Sequence, residues 1–186
     1  MNTLVPNFLT AFLLLSFAAG LYAAEPSNDE ILAKAREVVT VFQGALSSKL
    51  QAAMQAGGPV NAIDVCSKEA QLIAQQTSTQ HTVMVKRISG KPRNLIDTAD
   101  AEEIKVLAEF AMELKQQADS PLEKLVTASN GKLRYYKGIV IQPLCLNCHG
   151  DNLAPAVLEV LQERYPEDKA IGYKIGDLRG AFVVEF

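Results

Sequence analysis

The sequence has no excess of positive charge and no long basic run. Its 186 residues carry 18 Lys and Arg against 21 Asp and Glu, a formal net charge of −3. This balance provides no basic field for nucleic acid and no polybasic patch for a membrane surface. Internal repeats, low-complexity tracts and an interdomain linker are also absent. The length and the apolar content of 48% predict a single domain with its own core.

Charged side chains are absent from residues 1–24, and residues 8–21 are almost wholly apolar. This stretch is too short for a comfortable membrane span, and it ends in small residues before polar sequence begins. We therefore predict an export signal at 1–24, cleaved near Ala23 or Ala24, and a mature periplasmic domain at 25–186. The segment lacks the usual Lys or Arg before its apolar core, so an uncleaved anchor is the alternative. No lipobox cysteine is present, which excludes a lipoprotein.

Cysteine and histidine are scarce, with three and two residues respectively. An odd number of cysteines does not suit a disulfide framework, and a chain of this size does not need one. Cys145, Cys148 and His149 form a C-x-x-C-H motif. Two cysteines on one turn can each form a thioether to a haem vinyl group, and the histidine then supplies the proximal ligand to the iron. We predict one covalently attached haem c here, consistent with export, because bacteria attach this group outside the cytoplasm.

Other interpretations of the motif are weaker. A structural zinc site needs four ligands, and no second ligand pair occurs at motif spacing. A thioredoxin-like pair would follow a buried strand in a βαβ unit, whereas Pro143 precedes this motif. A simple disulfide between Cys145 and Cys148 is the alternative that the pattern leaves open.

The distal ligand has several candidates. His81 would give two imidazole ligands, Met54, Met84 and Met112 are thioether candidates, and Cys66 is a thiolate candidate. A lone cysteine on an apolar helix face is more often a buried small hydrophobe than a ligand. The residues alone leave Cys66, Met84, His81 and an open site as alternatives, with Cys66 slightly favoured.

Hydrophobic periodicity predicts helices in the first part of the chain and antiparallel strands later, which is typical of an α+β fold. The break at Gly57-Gly58-Pro59 separates the first two helices, and Asn130-Gly131 predicts a hairpin. The predicted helices are 29–55, 59–77, 99–117 and 155–164, and the predicted strands are 81–89, 125–129, 132–142 and 181–186.

Several motifs together resemble a family of exported haem c domains. The family is catalogued as a domain of unknown function with a PAS-like fold, and it occurs alone and in the sensory part of some membrane receptors. The likeness extends from about residue 30 to the end of the chain. This sequence departs from the family pattern at Leu95, where proline often follows Arg-Asn. The motifs are Ala62-Ile63-Asp64-Val65-Cys66, Arg87-Ile88-Ser89 with Arg93-Asn94, Cys145–Gly150, Tyr165–Tyr173 and Gly176–Phe182.

The resemblance implies a PAS-like antiparallel sheet covered by helices, with a long N-terminal helix and a covalent haem. It also implies that His149 is the proximal ligand and Cys66 the distal one. A thiolate ligand favours ferric iron, and its loss on reduction would open a position for CO or NO. We therefore expect a redox or diatomic-gas sensor module that signals through an unidentified protein partner.

A small soluble electron-transfer protein is the alternative function, because one haem on a compact domain is all that such a carrier needs. We do not expect an enzyme, since a peroxidase-like role needs an open distal site with a polar His and Arg pair. Arg87, Arg93, Arg134 and Arg179 could pair with haem propionates, but by default they are surface residues and we do not count them as site residues.

Overall fold

The computed structural model describes residues 26–116 and 121–186, so the predicted export signal at 1–24 lies outside the described residues. None of the helices in these two ranges has both the length and the apolar character of a membrane span. In chain order the elements are α1 (Asn28–His81), β1 (Met84–Ile88), a 3-10 turn (Leu95–Asp97), α2 (Ala101–Gln116), β2 (Glu123–Thr127), β3 (Leu133–Val140), a second 3-10 turn (Pro143–Cys145), α3 (Leu146–His149), α4 (Pro155–Arg164) and β4 (Leu178–Glu185).

Helix α1 consists of two arms that reverse direction at the predicted break. Gly57 and Gly58 have non-helical backbone angles, and the φ of +67° at Gly58 is one that glycine adopts without strain. Lys49 in the first arm and Glu69 in the second form an ion pair with an N–O distance of 3.0 Å. A straight helix would separate these positions by about 30 Å. The two arms therefore lie side by side as a helical hairpin.

The second arm of α1 is longer than the sequence pattern predicted, because it ends at His81 and not near Thr77. The hydroxyls of residues 77–79 each donate to the carbonyl one turn earlier, so this polar run stays helical. Thr82 then adopts the left-handed conformation that ends the helix. The prediction that His81 begins a strand is wrong, and the first strand begins at Met84.

The four strands form one antiparallel sheet in the order β1-β4-β3-β2, with helices on both faces. Alternation along β4 directs Phe182 and Val184 toward both arms of α1 and directs Ala181 and Val183 toward α2. The predicted hairpin joins β2 and β3. The predicted α+β class, an antiparallel sheet covered by helices with a long N-terminal helix, is confirmed.

The C-x-x-C-H motif lies where β3 ends. Ile141, directly after β3, donates its N–H to the Asp177 carbonyl at 2.9 Å, which ties this end of the sheet to the loop before β4. Helix α4 packs against the second arm of α1 through Val157, Leu161 and Ile63. The motif is therefore placed between the end of the sheet, the second arm of α1 and the segment that precedes β4.

Candidate functional site

The two cysteines and the histidine of the motif come from consecutive turns of backbone. Cys145 is the last residue of the second 3-10 turn, and Cys148 and His149 belong to α3. Pro143 begins the turn, which suits its fixed φ and its missing N–H. Both thiols are half-buried and free within the part of the chain that the structure describes. They are therefore available for bonds to a ligand.

The ring of His149 is held in one tautomer. Its Nδ1 lies 2.7 Å from the carbonyl oxygen of Ala170, so Nδ1 donates its hydrogen and Nε2 keeps its lone pair. Among residues 26–116 and 121–186, Nε2 has no hydrogen-bond partner. Burial, followed by the positive charges of Arg93 and Arg179, lowers the pKa of His149 to about 3. The imidazole is therefore neutral and presents Nε2 as a metal ligand would.

The segment that contains Ala170 is joined to the motif along its backbone. Tyr173 donates its N–H to the His149 carbonyl and Gly172 donates to the Gly150 carbonyl, both at 2.9 Å. The Tyr173 ring also meets the His149 ring edge to face, with a centroid distance of 6.2 Å. These contacts hold both the backbone and the ring of His149 in place.

Arg93 connects the motif to the same segment. Its guanidinium donates to the carbonyl oxygens of Cys148 and Ala170 and forms an ion pair of 3.1 Å with Asp168. The side chains of Arg93 and Asp168 are only 12% and 10% exposed. Asp168 in turn accepts the Ala170 N–H at 2.7 Å. One nearly buried ion pair thus orients the carbonyl that holds His149.

Cys66 lies on the second arm of α1, one turn after Ile63, whose side chain belongs to the cluster that Cys148 packs against. Burial raises the pKa of the Cys66 thiol, and the positive charges of Arg87 and Arg93 oppose that effect. The pKa of Cys148 is raised mainly by burial and in part by Cys66. The fold therefore brings Cys66, distant in sequence, to the C-x-x-C-H turn.

Three of the other distal candidates, His81, Met84 and Met112, lie elsewhere. His81 is on the same helical arm as Cys66, about 22 Å further along its axis. Met84 follows it at the start of β1, and Met112 is 55% exposed on α2, across the sheet from α1. Met54 is near the end of the first arm. Cys66 contributes to the raised pKa of Cys148, so its thiol lies near the motif.

Three of the four arginines named from the sequence surround this site. Arg87, Arg93 and Arg179 all act on the charge of His149. Arg134 does not, because it lies at the other end of the sheet, where it binds Glu185 at 2.7 Å. Arg87 is paired with Asp97 at 3.3 Å and Arg93 with Asp168 at 3.1 Å, so part of this positive charge is already neutralised.

The donors present fit a haem. Within the two described ranges, no three His, Cys, Asp or Glu side chains are grouped as a metal site built from protein alone would require. A haem iron takes only its axial ligands from the protein, and c-type attachment adds two thiols. The site offers two free thiols, a neutral imidazole with a free Nε2, a third thiol and a group of arginines.

Comparison with known proteins agrees with this chemistry. A family model described as Tll0287-like matches residues 24–186. The chain belongs to the Tll0287-like family. Its structure resembles the crystal structure of the cyanobacterial haem-protein Tll0287, with a TM-score of 0.62 and 27% sequence identity over 86% of this chain and 96% of that chain. A comparison with curated proteins gives no match. The family resemblance inferred from the motifs is confirmed.

Sequence reasoning alone missed several residues that shape the site in this Tll0287-like chain. Arg93 and Arg179 were treated as surface residues, and Tyr173 and Ala170 were given no role. All four lie within the stretches that carry the family resemblance, which was the available signal. Ala170 acts through its backbone carbonyl, so its residue type could not identify it.

Proposed function

We propose that this chain is a periplasmic protein with one haem c, attached to Cys145 and Cys148, with His149 and Cys66 as axial ligands. The observation that carries the proposal is the free Nε2 of a neutral His149 on the same turn as two free thiols. The description of the structural relative as a haem-protein supports the choice of cofactor.

The residues of the chain prepare the site for this group. When bound, haem c would supply a one-electron ferric–ferrous couple and, where an axial position opens, a binding site for CO or NO. The Ala170 carbonyl fixes the tautomer of His149 and increases the basicity of Nε2. Cys66 would bind as an anionic thiolate, which favours the ferric state and a low reduction potential.

We propose a redox or gas sensor as the first function. Cys66 lies on the second arm of α1, and this arm packs against the sheet through Ile73 and Ala74. The break at Gly57-Gly58 separates it from the first arm, so release of Cys66 would allow the second arm to shift alone. Two positions of one helical arm are the kind of two-state element that a signalling partner can detect.

Electron transfer is the second candidate function. Apolar side chains are exposed around the motif at Leu144, Ile171 and Ile175, with exposed fractions of 46%, 43% and 61%. Exposed apolar groups beside the site favour brief docking of a redox partner protein. In either role we propose no catalytic turnover, because Cys66 would fill the position that a substrate would need.

Mass spectrometry of the protein exported to the periplasm tests haem attachment. We expect the wild type to carry one covalent haem and the Cys145→Ala/Cys148→Ala double variant to carry none. A wild-type mass without haem would contradict the proposal, and a mass lower by two hydrogens would identify a disulfide instead.

Electron paramagnetic resonance of the ferric protein tests the distal ligand. We expect a low-spin thiolate signal that is lost in Cys66→Ala and retained in Met84→Ala and His81→Ala. An unchanged spectrum in Cys66→Ala would show that another group binds the iron.

Addition of CO or NO to the ferrous protein separates the two functions. A sensor should lose the Cys66 ligand on reduction and take up the gas. The opposite outcome is a ferrous protein that keeps both axial ligands, binds no gas and exchanges electrons rapidly. That outcome would show that electron transfer is correct and that gas sensing is wrong.

A further inference from the structure

A cavity of about 280 Å³ lies between α2, the start of β4 and the turn that follows β1. One of its walls is apolar and comes from α2, where Leu107 is buried and Ile104 is 44% exposed. Tyr173 also lines the cavity, and its ring meets the His149 ring edge to face. The residues that line the cavity are Ser89, Gly90, Lys91, Ile104, Leu107, Ala108, Tyr173, Leu178, Arg179 and Gly180.

Two positive charges line this cavity, and both lie on the Tyr173 ring. The Lys91 Nζ is 4.5 Å from the ring centroid and the Arg179 guanidinium carbon is 5.6 Å from it. Lys91 donates to the Ile171 carbonyl at 2.7 Å, and Arg179 donates to the Ser89 hydroxyl at 2.8 Å. Neither forms an ion pair with a carboxylate in residues 26–116 or 121–186. Two cations with neutral partners beside an apolar wall suit an anion that has an apolar body.

We propose that this cavity binds a small amphipathic carboxylate with one ring or a short alkyl body. The carboxylate would lie between Lys91 and Arg179, and the apolar body would contact Ile104 and Leu107. An apolar cavity of about 150 Å³ holds a benzene molecule, so the larger volume here accommodates a ring with a carboxylate. Charge-assisted hydrogen bonds would supply the specificity for an anion.

Occupancy of the cavity would affect His149, an effect that rests on the proposed haem function. Lys91 holds the Ile171 carbonyl, and the adjacent Ala170 carbonyl holds Nδ1 of His149. A carboxylate that draws Lys91 away from Ile171 would loosen the segment that orients the imidazole. It would also add negative charge next to the Tyr173 ring, which favours ferric over ferrous iron.

Isothermal calorimetry of the purified full chain with benzoate tests the binding step, with benzyl alcohol as the uncharged probe. We expect benzoate to bind and benzyl alcohol to bind at least tenfold more weakly. Lys91→Gln and Arg179→Gln should each weaken benzoate binding about tenfold, the loss of one charge-assisted hydrogen bond. Lys105→Gln, an exposed substitution on α2 outside the cavity, is the matched control and should bind as the wild type does.

Filling the cavity provides a second test that leaves both cations in place. Ala108→Phe adds a ring at an exposed helix position on the cavity wall, and it should abolish benzoate binding. The proposal would be overturned if the two probes bound equally, if Lys91→Gln bound benzoate as tightly as the wild type does, or if the haem-loaded chain bound no benzoate. The last result would mean that carboxylates of the haem itself occupy the cations.

The reduction potential and the Soret band of the haem-loaded protein measure whether benzoate in the cavity affects His149. We expect saturating benzoate to lower the potential and shift the band, and Lys91→Gln to lose both responses at the same benzoate concentration. Benzoate binding without either response would refute the coupling. Because calorimetry does not require haem, failure of haem attachment and failure of benzoate binding are separate outcomes.

Discussion

At the residue scale, one arginine holds together three separate parts of the candidate site. Arg93 lies in the loop after β1, and its acceptors are in the motif and in the segment before β4. A planar guanidinium can serve several acceptors in fixed directions, which an ammonium cannot do. Its ion-pair partner Asp168 is almost fully buried, so the pair is protected from solvent screening.

Replacement of Arg93 by methionine should lower the free energy of unfolding by about 3 kcal/mol, because it leaves Asp168 buried without its cation. Urea denaturation measures this change. Lys49→Met is the control, since Lys49 also pairs with a carboxylate, Glu69, but the two side chains are 53% and 40% exposed, and it should change stability little. Equal effects of the two substitutions would show that burial of the Asp168 pair is not what stabilises the site.

At the element scale, the pairing of β1 with β4 depends on one close approach of two backbones. Gly180 in β4 has a φ of +153°, and a Cβ at this position would overlap the carbonyl oxygen of Ile88 in β1. The Ser89 hydroxyl next to it donates to the Arg179 carbonyl at 2.9 Å. The strands therefore meet closely at the edge of the sheet that faces the cavity and the site.

Gly180→Ala should lower the free energy of unfolding by about 3 kcal/mol, from strain at an unfavourable φ and from displacement of β1. Gly44→Ala is the control, because Gly44 lies in α1 with open space around it, and alanine there should raise stability by up to about 1 kcal/mol. Thermal or urea unfolding followed by circular dichroism measures both. A neutral Gly180→Ala variant would mean that the two strands can separate without cost.

At the scale of the whole molecule, carboxylates paired with cations join neighbouring strands of the sheet and join the sheet to α1. Glu185 in β4 accepts from Lys132 and Arg134, both at 2.7 Å. Burial alone would raise the pKa of Glu185, but these hydrogen bonds outweigh it and the net pKa is lowered. The pKa of Glu123 is also lowered, mainly by a hydrogen bond from Arg36 on α1.

Stability should therefore fall in acid. A carboxyl group whose pKa is lowered by folding stabilises the protein fully above its unfolded pKa, here 4.5 for glutamate, and loses that contribution as the pH falls through the lower folded pKa. His149 adds to this loss, because folding lowers its pKa to about 3 and only the unfolded chain takes up a proton near the ordinary histidine pKa of about 6.5. We therefore expect the free energy of unfolding to decrease from about pH 6.5 downward, and more steeply below about pH 5, where the carboxylates also contribute.

Measurement of urea denaturation between pH 7 and pH 3 checks this expectation. Glu185→Gln should be less stable than the wild type at pH 7 and should have a smaller slope in acid. Glu113→Gln, at an exposed position of α2 without an ion pair among the described residues, should keep the wild-type slope. A wild-type curve that stays level to pH 3 would contradict the role of these carboxylates.

Much of this molecule follows from local sequence. The chemistry of the C-x-x-C-H motif needs only contiguous residues, the glycine pair breaks α1 because one φ there is left-handed, and Asn130-Gly131 sets the hairpin. Periodicity indicated the α+β class but placed the end of this helix near Thr77, whereas α1 ends at His81. The difference arises because hydroxyl groups that usually compete with a helix here form hydrogen bonds within it.

Only the tertiary structure brought Cys66 to the motif, placed the Ala170 carbonyl on His149 and gathered three of the four arginines there. It also created the cavity beside Tyr173 and left Arg134 at the far end of the sheet. The physical reason is that these contacts join residues far apart in the chain. Their distances depend on how α1, the sheet and the segment before β4 pack together, and neither residue type nor spacing encodes that packing locally.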